Sequence, residues 1–167
     1  MARSGTRDAT VPGPLERARC RRGLLGVGLG LVVLVAAGCT GPVRSDGVYA
    51  AKAATTAGAA GSAVETAQLA VQEAVDGKLF GRSLAQTLAE AASDAGAVQA
   101  TFDAIQPPDR RADTLRGQLD GLLIRAVSAL DDLRTAARRG DIAALPKLAA
   151  PLPALAEELQ RFRDGHQ

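Results

Sequence analysis

The sequence predicts an all-α fold: an antiparallel helical bundle of about four helices, preceded by a signal peptide and a short tether. Three observations predict it. From residue 48 onward apolar residues recur every three or four positions, and strand-like alternation is missing. Gly, Pro and Asp punctuate the chain at helix-length intervals, leaving only short connectors, which favour antiparallel neighbours. Ala supplies 35 of the 167 residues and Leu 21, while aromatics are only 2%, so the core must be built from small and aliphatic side chains on closely packed helices.

Residues 1–38 read as a targeting segment. They carry six Arg against two acids, Asp8 and Glu16, and then a run of 15 uncharged residues from Gly23 to Ala37. Crossing about 30 Å of hydrocarbon takes about 20 apolar residues, so this run is too short to span a bilayer. A basic flank, a short apolar run and small residues at its end make an export signal. The basic flank stays on the cytoplasmic side.

The apolar run ends Val35-Ala36-Ala37-Gly38-Cys39. This segment resembles the lipobox of bacterial lipoproteins: an aliphatic residue, two small ones, then Cys. Gly38 and Cys39 match; Ala36 stands where the family usually carries Leu. The resemblance implies that the Cys39 thiol takes a diacylglyceryl group, that the signal is cut before it, and that the new amino group is often acylated. It covers residues 1–40 only. The competing reading is a small buried Cys at the end of a hydrophobic helix. Arg21-Arg22-Gly23-Leu24-Leu25 is similar to the twin-arginine export pattern, with Cys20 in place of the usual polar residue. A Sec signal with two adjacent Arg is the alternative.

Lipidation would hold the domain on the extracytoplasmic face of the cell membrane, because two acyl chains suffice for stable anchoring. The 129 residues from Cys39 onward contain no other Cys, which excludes an internal disulfide. They carry 14 basic and 16 acidic residues, so the chain's pI near 8.8 belongs mostly to the leader. With no excess positive charge and few stacking residues, no nucleic-acid partner is expected.

Residues 39–47 are the lipidated Cys and a flexible Gly/Pro-containing tether, 48–163 the helical bundle and 164–167 a tail. The first helix is expected over Val48 to Val75, with a stripe of Ala60, Val64, Ala67, Val71 and Ala74. Gly58 and Gly61 each cost roughly 1 kcal/mol relative to Ala. Either this half frays, or its small residues admit a close neighbour. Asp76-Gly77-Lys78 ends it, and Leu79-Phe80-Gly81 forms the turn.

Ser83-x-x-Gln86 resembles a capping box opening the second helix. Its seam runs Leu84, Leu88, Ala91, Ala95, Val98, Phe102 and Ile105 at heptad spacing, and Pro107-Pro108 stops it. The third helix is expected over Arg110 to Arg139 behind an Asp109 N-cap. Its seam holds Leu115, Leu119, Leu122, Ala126, Leu130, Leu133 and Ala137, widened by Leu123, Ile124 and Val127, which makes it the candidate for the most buried helix. Arg138-Arg139-Gly140-Asp141 reads as a C-terminal cap followed by an N-cap. The last segment, Ile142 to Arg163, keeps heptad spacing through Leu145, Leu148, Leu152, Leu155, Leu159 and Phe162. Pro146 fits its first turn. Pro151 and Pro153 predict a kink or restart near Ala150, since each costs about 3 kcal/mol inside a helix.

The chemistry-bearing residues are few. The single His, His166, is the penultimate residue and reads as a solvated tail. Haem, zinc, copper and di-iron sites need clustered ligands that the composition does not supply. Glu90 with Asp94, and Asp131-Asp132, read as solvated faces. Arg110-Arg111 is a candidate contact for anionic headgroups, and Tyr49 a candidate marker of the membrane-proximal end. The expectations are therefore no enzyme, no catalytic or metal residues and no cofactor, with Cys39 as the one site residue. High Ala, Arg and Gly usage together with the lipobox is similar to exported helical lipoproteins of unknown function from high-GC bacteria. The function expected is protein interaction or envelope structure, with an unknown envelope protein or self-association as partner. The alternative is a module binding a small apolar or lipid ligand between the helices, near the Pro-rich segment.

Overall fold

The computed structural model describes residues 45–79 and 81–167. The expected signal peptide, Cys39 and the expected tether up to residue 44 lie outside the described residues, as does Phe80 of the first turn.

The described chain is an antiparallel four-helix bundle whose last helix is broken. Helix α1 spans Asp46–Val75, α2 Gly81–Asp103 and α3 Arg110–Arg139. A 3-10 turn, Ile142–Ala144, leads into the short α4, Leu145–Ala149, and α5 follows over Leu152–Asp164. The core is built of aliphatic and aromatic residues, with the Tyr49 hydroxyl a polar atom inside it.

Helix α1 starts two residues before the expected Val48, because Ser45 serves as its N-cap and accepts from the Val48 N–H at 3.4 Å. Residues Ser45 to Gly47, assigned to the tether, therefore belong to the helix start. The front half does not fray. Tyr49, Ala53, Ala54, Ala57 and Ala60 are buried along it. Gly61 lies against α5, where an added Cβ would stand 3.8 Å from Leu159 Cβ, and one at Gly58 would stand 3.1 Å from Arg163 Cδ. The small residues thus serve close approach.

Helix α1, not α3, is the central element: it buries 12 residues against 8 for α3 and packs on α2, α3, α4 and α5. Only an Ala-rich helix can meet neighbours on so many sides, since larger side chains would force the axes apart. Gly61→Ala is expected to be tolerated, because 3.8 Å is ordinary van der Waals contact and Ala favours helix. Gly61→Leu is expected to cost roughly 1–3 kcal/mol by overpacking. Chemical denaturation of the two variants checks the contrast.

Gly77 (φ +71°) closes α1 in the left-handed conformation that favours glycine. Helix α2 then opens at Gly81, so the capping box does not form: Ser83 is already inside the first turn, and Gln86 donates to Glu90 Oε1 at 3.0 Å. Leu84, Leu88, Ala91, Ala95 and Phe102 of the seam are buried; Val98 is half-buried, and Ile105 packs on the core just beyond the helix end. The bounds of α3 agree with expectation. Asp109 Oδ1 accepts from the Arg111 and Ala112 N–H groups at 2.8 and 2.9 Å, and Gly140 (φ +71°) caps the far end. Asp141 caps the 3-10 turn by accepting from Ala144 N–H at 3.2 Å. The chain restarts at Ala150-Pro151, with Pro146 and Pro153 each in a first turn where no N–H is needed.

Candidate functional site

Few of the charged residues singled out by sequence converge. Glu90 and Asp94 are exposed on α2, and Asp131 pairs with Arg134 at 3.1 Å. Among the described residues no group of three His, Cys, Asp or Glu is placed to hold a metal ion. Arg110 and Arg111 are exposed at the start of α3, and Arg111 shares a surface hollow with Asp46 and His166. His166 is not a solvated tail residue. It is half-buried, its ring stacks on Phe162 with centroids 4.4 Å apart, and its Nδ1 lies 2.7 Å from the Phe162 carbonyl oxygen.

Tyr49 is the clearest departure from expectation. It sits in the first turn of α1 but is 0% exposed, with its ring 5.6 Å from that of Phe102. Its Oη has no hydrogen-bond partner among the described residues, and burial pushes the phenol above its ordinary value of 10.0. Nearby, Arg116 closes the end of α2 by donating to the Asp103 and Ile105 carbonyls at 2.9 and 3.2 Å. It lies 3.6 Å from Asp120, whose carboxyl burial raises above the usual range.

These facts predict an alkaline limb. A raised phenol keeps its stabilising contribution below the unfolded-state value and loses it as pH rises through the folded-state value. Stability should therefore fall above about pH 10, with the single tyrosinate absorbance rising in step. Tyr49→Phe is expected to flatten that limb and to match or exceed wild-type stability at neutral pH, by up to about 1 kcal/mol, because it removes a buried unpaired hydroxyl. Denaturant melts between pH 8 and 11 read both effects.

A sizeable concavity with an apolar floor lies between α3 and the broken last helix. Helix α5 packs mainly on α1 and only lightly on α3, leaving a valley on the outside of the bundle. The groove holds about 620 Å³, within the span of about 300–1,000 Å³ usual for binding sites. Ile124, Leu148, Pro151, Ala154 and Leu155 form its floor and sides. Ile124, expected to widen the buried seam, is 58% exposed here. Its neighbour Leu123 fills the core position, since one residue of offset turns a helix side chain by about 100°.

Four charges rim the groove. Arg125 of α3 and Glu158 of α5 form an ion pair across one end, and Asp132 and Lys147 stand at the other. The pair is surface-exposed, and such pairs are worth about 0–1 kcal/mol. The sequence does not reveal the groove because its walls come from two separate segments, Ile124 to Asp132 and Lys147 to Glu158. The nearest signal is the Pro restart, which keeps the last helix from lying flat along α3. Among the described residues no helix is long and apolar enough to cross a membrane. Comparison of the chain with protein-family models, with curated proteins and with solved structures finds no match.

Proposed function

We propose that the protein is a lipoprotein held on the extracytoplasmic face of the cell membrane through lipidated Cys39, and that its helical domain is a non-catalytic docking module. The anchor rests on the basic, apolar and small-residue pattern that ends at Cys39. The docking role rests on one observation: the bundle surface carries an apolar groove with an exposed Ile124 in it. A groove open along its length suits a protein segment or helix face.

The second reading, a small apolar or lipid ligand, draws support from the groove's volume and its apolar floor. Against it, ligand sites usually bury about 70–90% of the ligand, and the bundle interior is packed with Leu, Ala, Tyr49 and Phe102. A photo-crosslinker placed at residue 124 in the native membrane separates the readings. A protein adduct is the expected result. A lipid-sized adduct favours the ligand reading, and no adduct contradicts both.

A further inference from the structure

We infer that the partner seated on the α3–α5 groove is a second copy of this chain. The inference rests on the docking reading and gives it an occupant. The argument is charge complementarity. Along the α3 wall the order is Arg125 then Asp132, plus then minus; along the facing wall Glu158 stands level with Arg125, and Lys147 lies toward the other end. The four rim charges therefore form a checkerboard with no net charge. A strongly charged partner of either sign gains nothing from such a rim.

A copy of the same surface does gain. A two-fold axis running along the groove swaps the walls and keeps the ends. Arg125 then faces Glu158 of the other copy, and Asp132 faces Lys147. Every rim charge meets its opposite, and Ile124 of each copy is carried toward the Ala154–Leu155 side of the other. This is the isologous arrangement of two-fold dimers, in which one patch is complementary to itself. Asp132 and Lys147 make no ion pair among the described residues, so both are free to meet a partner's charge.

The anchor selects this axis over one across the groove. Cys39 lies six residues before Ser45, a reach of about 20 Å. With the axis along the groove, both copies of α1 start at the same end and both anchors meet one membrane. Confinement to a surface raises the effective concentration of each copy for the other, which favours an interface smaller than the roughly 800 Å² per partner that stable soluble dimers bury.

The test uses the full chain in its native membrane, with two differently tagged copies co-expressed and a photo-crosslinker at Ser128 on the groove. The expected adduct has twice the protomer mass and carries both tags. Ile124→Glu should lower its yield about tenfold or more while leaving the protein's own melting unchanged, because residue 124 is largely exposed. Asp132→Lys should lower the yield as well, and adding Lys147→Asp should restore it, because the two positions that face each other across the axis again carry opposite charges. An adduct without the second tag, or a yield indifferent to Ile124→Glu and Asp132→Lys, overturns the inference. Palmitate labelling of the same membranes reads the anchor separately, so the dimer and the anchor can fail independently.

Discussion

Cys39→Ala is expected to abolish the incorporation of radiolabelled palmitate that the wild-type protein shows. The effect should be complete rather than graded, because the proposal makes the thiol the attachment atom and the chain from residue 39 onward has no other Cys. Each buried CH₂ contributes about 0.8 kcal/mol, and two chains convert marginal binding into stable anchoring. No helix among the described residues is long and apolar enough to cross a membrane. Equal label in wild type and variant would end the lipoprotein proposal.

The second large effect concerns the core. Leu123 is 0% exposed and Ile124, the next residue, is 58% exposed. Leu123→Ala is expected to cost about 2–5 kcal/mol through lost transfer energy and the cavity left behind. Against a total of roughly 5–15 kcal/mol for a domain, that lowers Tm by roughly 10 °C or more. Ile124→Ala should change stability by no more than about 0.5 kcal/mol. Thermal melts of the two variants give the comparison. Similar losses would mean that the α3 face assigned to the groove is packed inside the bundle.

That same pair shows where sequence reading reaches its limit. The heptad seam, the Asp109 and Gly140 caps and the Pro151 restart are local signals, and each appears in the fold where the residues place it. Ile124 beside Leu123 is not a local matter. Both are apolar, and which one faces inward depends on the angle at which α3 meets α1, which only the packed bundle sets. Helix α1 hid its role for a related reason. Its stripe of Ala60, Val64, Ala67, Val71 and Ala74 is buried, but the stripe alone does not reveal the burial of Tyr49, Ala53, Ala54, Ala57, Ala63 and Ala70 on further sides, which makes it the central helix. Ser83 and Gln86 carry the spacing of a capping box, but Gly81 (φ +46°) opens the helix two residues earlier. Tyr49 reads as a rim residue by its place in the chain, yet the Phe102 ring across the bundle draws it inside. The candidate groove was legible only as a Pro-rich neighbourhood, because its two walls meet in the tertiary structure alone.

The central claim is that residue 39 is where the native protein begins and where its lipid is attached. Intact-mass and N-terminal peptide analysis of the protein from native membranes tests it most directly. The account predicts a chain starting at Cys39 with a diacylglyceryl group on its sulfur. A retained leader, or a start at any other residue, would contradict it.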